Sequence, residues 1–318
     1  MKITTLRYFD FAASRLLPDG RMSGNNFNGW AGVVGPVDQQ TGMLINIVDL
    51  KKLLADTLDG YDHRFLNAQL EDVEPSTLNI SKAIYSDLAT SLPAGISMES
   101  LSLAELDQNA VLITPEADVQ IVRGGFSAAH RTHAPQLSQA ENQARYGICN
   151  NPTGHGHNYQ VEIALPPGED IPDDLWEQFD HRNLSVDLPE LEGRNAVTEA
   201  IAALIALRVP VAQSVRVWET PDFFAEYLPG EDRYHLGRRY RFHAAHRLNN
   251  PRMSAEQNRR IYGKCNRPDP HGHTYITQVT VSPQRGHGFS QGRSMNVHLL
   301  LLSSSKSRQK WTDGFYQW

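Results

Sequence analysis

Cys149-Asn150-Asn151-Pro152-Thr153-Gly154-His155-Gly156-His157, preceded by Phe126-Ser127-Ala128-Ala129-His130-Arg131, is the stretch around which the chain organises, because much of it returns 116 residues later. His130, Cys149, His155 and His157 recur as His246, Cys265, His271 and His273, so the chain's two cysteines hold equivalent places. Aligning 126–159 with 242–275 without gaps gives 17 identities in 34 positions, these four residues among them. On an extended strand side chains alternate, so His-Gly-His sets both imidazoles on one face with glycine between them. His130, from the neighbouring strand, completes a three-histidine set of the kind that leaves a zinc ion's fourth position open, unlike a closed four-ligand structural site. His246, His271 and His273 offer the same set. Two histidines two apart are ordinarily a surface feature; recurrence in register with a third histidine and a cysteine is what points to metal. Cys149 is too tightly constrained by Asn-Asn-Pro-Thr-Gly to make an obvious fourth ligand. A thiol near a dication becomes more acidic, which makes it a candidate base.

Through Phe126 to Tyr159 these residues resemble the 6-pyruvoyl-tetrahydropterin synthase family, which includes the 6-carboxy-tetrahydropterin synthases of queuosine biosynthesis. The resemblance implies zinc held by His130, His155 and His157, a general base in Cys149, and a catalytic Asp-His pair in Asp180-His181. It also implies a pterin-anchoring glutamate, Glu219 in Val215-Arg216-Val217-Trp218-Glu219-Thr220, and a second one, Glu199 after Thr198. Taken singly, an Asp-His dipeptide or a strand glutamate is unremarkable chemistry. Glu219, however, is flanked by Val215, Val217 and Trp218, and a carboxylate in such a strand needs hydrogen-bond donors to offset desolvation. The amino-pyrimidinone edge of a pterin presents two adjacent N–H groups, which one carboxylate accepts together.

The expected fold class is α+β: tandem tunnelling-fold (ββααββ) units with antiparallel sheets and helices on one face, as the resemblance implies. Three copies are expected. The first, 1–115, is degenerate: at the 116-residue offset Ser14 stands in place of the ligand histidine, and no cysteine or His-Gly-His precedes Asp62. It keeps Asp62-His63 as a second catalytic dyad, a helix through Val48 to Leu54, and Glu105 in the place of Glu219, while Leu78 stands where the second copy has Glu199. The second copy, 118–230, carries the full set with a shortened middle, a helix from Ala196 through Leu207 capped by Asn195, and strands Ser214–Glu219 and Phe223–Leu228. The third, 235–318, has the triad and then an aberrant tail. From Ser282 onward five basic residues (Arg285, Arg293, Lys306, Arg308, Lys310) face one acid, Asp313, and Leu299 to Ser305 shows no useful strand or helix pattern. A shifted reading frame is the expectation for that tail.

The chain has 318 residues, a formal charge of -6 and 40% hydrophobic residues. That balance argues against a nucleic-acid or anionic-membrane surface and is ample for packed cores. The start, Met1-Lys2-Ile3-Thr4-Thr5-Leu6-Arg7, lacks a signal peptide's apolar core, and the two cysteines suit a reducing compartment, so the cytoplasm is expected. The resemblance implies a pterin triphosphate, 7,8-dihydroneopterin triphosphate, as substrate, Zn2+ as cofactor, loss of triphosphate, and a homo-oligomer in which dyad and cysteine meet across protomers. The spacing Cys-x5-His-Gly-His resembles the 6-pyruvoyl type more than the 6-carboxy type. The other reading is a non-catalytic zinc-bound pterin-binding or assembly protein. A zinc hydrolase lacks its motif, since no His-Glu-x-x-His occurs.

Overall fold

Alternation and capping explain most of the elements in the computed structural model, which describes residues 2–71, 73–105, 109–191, 195–283 and 295–304. In chain order they are β1 (Lys2–Leu16), β2 (Met22–Pro36), α1 (Ile47–Leu58), α2 (Leu66–Gln69), α3 (Thr77–Ser91), β3 (Ser97–Glu105), β4 (Asn109–Ile113) and β5 (Asp118–His130). There follow α4 (Gln139–Tyr146), β6 (His155–Leu165), β7 (Arg182–Asn183), α5 (Thr198–Arg208), β8 (Ser214–Thr220), β9 (Phe223–Leu228), β10 (Arg233–His246), α6 (Ala255–Tyr262), β11 (His271–Pro283) and β12 (Met295–Ser304). The fold is sheet-rich, antiparallel α+β; the parallel pairings among the described residues are β7 with β5 and the bridge Ser14–Phe65. No helix among them is long and apolar enough to cross a membrane.

Contacts divide the chain into two compact units, Met1–Ile121 with Ala245–Gly272 and Val122–Ala244 with His273–Trp318. In the first, β1 to β4 pair in sequence order. Phe9, Phe11 and Ala13 alternate inward from β1 onto the helices, as a half-buried strand requires. Asn46 caps α1 by accepting from the Val48 amide, and Ser76 caps α3 by accepting from that of Asn79. Ile80, Ile84 and Leu88, fully buried at four-residue spacing, are the stripe by which α3 joins this core. The segment around α6 is tied to the same unit: Asn46 Nδ2 donates to Ile261 O at 2.8 Å, and the Tyr262 hydroxyl to Thr41 O at 3.0 Å.

In the second unit the strand order is β5-β6-β8-β9-β10-β11-β12. Its core, which includes Phe126, Tyr159, Val161, Leu175, Phe179, Ile201, Ile205, Val215 and Val217, lies between this sheet and α5. Helix α5 begins two residues later than the sequence suggests. Asn195 does not cap it; Val197 holds that place without a side-chain bond, while Asn195 Oδ1 accepts from the His133 amide at 2.6 Å. Leu299 to Ser304, expected to be patternless, lies in β12, antiparallel to β11 with Val279 opposite Leu299. A short unbroken apolar run is compatible with a strand even without alternation. The basic residues behind the frame-shift expectation lie outside the described residues.

Arg216 on β8 bridges two buried carboxylates, Nη2 lying 2.9 Å from Glu226 Oε1 and Nη1 3.8 Å from Glu162 Oε2. Arg123 Nε reaches Glu162 at 3.1 Å, and His235 Nδ1 reaches Glu226 Oε2 at 2.9 Å. Burial opposes ionisation of Glu226, yet Arg216 and His235 hold its carboxyl below the usual range. Removing one member of such a pair strands the other charge. Arg216→Met is expected to lower stability by about 3–5 kcal/mol in urea unfolding.

Candidate metal and pterin site

In the second unit β5 ends on His130 and β6 starts on His155. Gly154 lets the two meet: its φ is +73°, and a Cβ there would stand 2.8 Å from the carbonyl oxygen of His130. Gly156 passes nearly as close to Ala128, with 3.3 Å for a Cβ. His130 Nε2 is 3.1 Å from His155 Nε2, and ring nitrogens of His130, His155 and His157 all lie within 4.8 Å of one another. His130, buried, donates from Nδ1 to Ala196 O at 2.6 Å, which fixes the ring with Nε2 turned to its partners. His155 Nδ1 is buried with no partner among the described residues. Burial, then the neighbouring imidazoles, lowers the pKa of His155; burial also lowers that of His157, against the pull of Glu219. Both rings are therefore neutral at pH 7, the form that ligates. Three converging imidazoles fit a divalent ion such as zinc.

Glu219 closes one side. Its Oε1 lies 3.4 Å from His157 Nε2, and its Oε2 accepts from the Thr198 hydroxyl. Glu199 stands in the first turn of α5, where burial, against its own backbone amide and helped by Glu219's charge, raises its carboxyl above the ordinary range. Tyr159, two residues past His157 on the same face, stacks on Phe126 at 5.0 Å; burial and then Glu219's charge push its phenol well above the usual value.

Cys149 sits in a 3-10 turn, Gly147–Asn150, half-buried, its carbonyl accepting from the Thr132 amide at 2.9 Å. A scaffold that sequence reasoning missed carries this turn. Ser138 and Glu141 form a capping box at the start of α4, and Asn142 and Asn150, both fully buried, bind the adjoining loop. Asn142 Oδ1 accepts from Ala134 N at 2.8 Å, and Asn150 Oδ1 from Arg131 Nη2 at 3.1 Å. The signal was present, because Ser138, Asn142 and Asn150 return as Ser254, Asn258 and Asn266 at the 116-residue offset. In that later copy His246 Nε2 is 3.2 Å from His271 Nε2, Cys265 Sγ is 3.8 Å from the same nitrogen, and His273 follows two residues on along β11.

The Asp-His pairs share one conformation. Asp180 Oδ1 accepts from Ser127 N at 2.8 Å while the His181 amide donates to Ser127 O at 2.7 Å; Asp62 and His63 do the same to Ala12, at 2.9 and 2.5 Å. Both histidines have positive φ, 54° and 56°, uncommon for a residue with a side chain. Their rings, 85% and 83% exposed, point to solvent. Among the described residues neither dyad hydrogen-bonds to the triad or to Cys149.

This matching of Ala12 with Ser127 moves the first copy's register by one residue. Arg15, not Ser14, holds the place of His130. Its Nη1 donates to Pro75 O at 2.8 Å, two residues before Thr77, as His130 donates to Ala196 O two residues before Thr198. Its Nη2 lies 2.6 Å from Glu105 Oε2, which also accepts from Asn25 Nδ2 at 3.2 Å, while Oε1 accepts from Thr77. Glu105, assigned the same role as Glu219, is thus fully engaged within its own unit.

The family model described as 6-pyruvoyl tetrahydropterin synthase matches residues 5–116, 121–230 and 235–300. A 6-pyruvoyl tetrahydrobiopterin synthase of Poecilia reticulata is 35% identical over 116 residues, 30% of this chain and 79% of the relative. The one of Homo sapiens is 34% identical over 127 residues, 33% of this chain and 87% of the relative. The solved structure of Caenorhabditis elegans 6-pyruvoyl tetrahydropterin synthase is 30% identical, covering 35% of this chain and 94% of that chain, with a TM-score of 0.32.

Proposed function

The chain belongs to the 6-pyruvoyl tetrahydropterin synthase family, and on that premise we propose that it is a zinc-dependent lyase converting 7,8-dihydroneopterin triphosphate with loss of triphosphate, in tetrahydropterin or queuosine formation. The observation that carries this reading is one converging triad, His130, His155 and His157, with a carboxyl anchor, Glu219, beside it. Glu219 accepts the two N–H groups of the pterin edge, steadied by the Thr198 hydroxyl, and Glu199 flanks it. Zinc on the three histidines supplies Lewis-acid polarisation of the side-chain oxygens. Cys149 takes the proton of the activated carbon, and an Asp-His pair orients and recharges that relay, histidine titrating nearest neutrality. Triphosphate leaves as the carbon–oxygen bond breaks. The Cys-x5-His-Gly-His spacing favours the 6-pyruvoyl product.

The chain is organised as three tunnelling-fold copies, 1–115, 118–230 and 235–318, of which the second holds the complete set. Protomers assemble in a homo-oligomer in the cytoplasm. The exposed rings of His181 and His63 suit a role across an interface. The first copy, its glutamate taken by Arg15, contributes the Asp62-His63 dyad rather than a pterin pocket, and His246, His271 and His273 give the third copy a second metal position. One observation favours the non-catalytic binding reading: among the described residues neither dyad hydrogen-bonds to Cys149 within a chain. Turnover separates the two.

Glu219→Gln tests the anchor. The amide presents one acceptor where the carboxylate presents two, and its own N–H groups face the pterin's. KM is expected to rise about 30-fold or more, with zinc content unchanged, since a charged hydrogen bond is worth about 1.5–3 kcal/mol. An unchanged KM would remove Glu219 from pterin recognition.

A further inference from the structure

The Tyr159 hydroxyl is a buried polar group that the fold leaves without a task. The residue is 2% exposed, and its oxygen has no hydrogen-bond partner among the described residues. A buried hydroxyl left unpaired costs about 1–3 kcal/mol, so its retention needs a reason. Packing is not that reason. In the first copy β2 pairs with β3 so that Phe27 stands opposite Glu105; in the second, β6 pairs with β8 as far as Gln160 opposite Trp218, and Tyr159 and Glu219 are the next residues beyond that last pair. Phe27 and Tyr159 are therefore the same position. Phe27 is 1% exposed and stacks on Phe11 at 4.9 Å, as Tyr159 stacks on Phe126 at 5.0 Å. A phenyl ring fills the space. The hydroxyl accompanies the histidine triad: the triad copies carry Tyr159 and Tyr275, and the copy with Arg15, Ser23 and Asn25 in the triad's places carries Phe27.

The donors around the two glutamates give the reason. Glu105 accepts from Arg15, Asn25 and Thr77 and needs nothing more. Glu219 accepts from the Thr198 hydroxyl, while His157 Nε2, 3.4 Å from it, has no hydrogen-bond partner among the described residues. Among the described residues Glu219 thus has one side-chain hydrogen-bond donor, Thr198, where Glu105 has three, although the pterin reading requires its carboxylate to be held rigidly. Opposite and diagonal neighbours on adjacent strands have Cβ atoms about 4.5–8 Å apart, within reach of a long aromatic side chain.

We propose that Tyr159 is a positioning residue whose hydroxyl donates to Glu219 in the metal-loaded site, fixing the carboxylate for the pterin edge. This rests on the functional reading above. The test compares wild type with Tyr159→Phe, the side chain already accommodated at position 27. Two quantities are measured: urea stability of the metal-free proteins, and affinity of the zinc-loaded proteins for 7,8-dihydroneopterin, which lacks the triphosphate and is held without triphosphate release.

Stability is expected to stay level or rise, while pterin Kd weakens about tenfold. The same substitution in a Glu219→Gln background is expected to add little, because both act through one contact; a merely structural role would add in full. An unchanged pterin Kd for Tyr159→Phe, or full additivity in the double variant, overturns the proposal. A wild-type protein that takes up zinc but does not bind the pterin defeats the functional reading itself, and the proposal falls with it.

Discussion

Replacing His130 by alanine is expected to lower the zinc content by one ion per chain and to take turnover below detection. His130 is the ligand whose orientation the fold determines most completely, buried at the end of β5 with Nδ1 bonded to Ala196 O. His155 and His157 remain on β6, but two imidazoles on one strand make an incomplete set for a tetrahedral ion that keeps one position open. Loss of a group that merely orients a ligand costs about 10–100-fold in metal affinity, and loss of the ligand itself costs more. His130→Gln separates this effect from misfolding: its amide still donates to the Ala196 carbonyl and fills most of the space. Both variants should lose the ion, measured as bound zinc after gel filtration. A His130→Gln protein that keeps its full zinc complement contradicts the assignment.

Cys149→Ala should leave zinc and pterin binding intact and lower turnover by about 10³-fold, within the range for loss of a positioned general base. The argument rests on the turn that holds the residue. Its carbonyl is bonded to Thr132, and the loop around it is fastened through the buried Asn142 and Asn150, so the thiol's place depends on contacts that alanine leaves alone. KM is expected to move less than about threefold, since a proton acceptor acts in the transition state rather than in ground-state binding. A fall in kcat/KM carried wholly by KM would make Cys149 a substrate contact instead.

The site was legible because it is repeated. His-Gly-His two apart on a strand, with His130 and Cys149 at a constant offset, left one geometry open, and β5 and β6 bring that geometry about. Glu219 was indicated by the family resemblance, with the apolar run around it as support, and it lies on β8 beside His157. The first copy was harder. A gap-free offset put Ser14 at the histidine's place, whereas the backbone contacts of Ala12 put Arg15 there, and a one-residue slip in a strand reverses the face on which a side chain lies. Asn195 looked like a helix cap by residue type, but a tertiary partner, the His133 amide, claims its side chain. Tyr159 carried no signal by itself; its unpaired hydroxyl is visible only after the sheet is assembled. The run Leu299–Leu302 reads equally as strand or as noise until β11 offers it an edge.

On the proposed function, the second copy's triad, cysteine and glutamate perform elimination rather than storage or binding. The most direct measurement is incubation of the zinc-loaded chain with 7,8-dihydroneopterin triphosphate, following triphosphate release and the mass of the pterin formed. Stoichiometric triphosphate with a new pterin mass, dependent on zinc, is the result this account predicts, and that mass separates the 6-pyruvoyl from the 6-carboxy product. Tight binding of zinc and of the intact pterin triphosphate, with no triphosphate released, would contradict it and leave the chain a binding protein built on a synthase site.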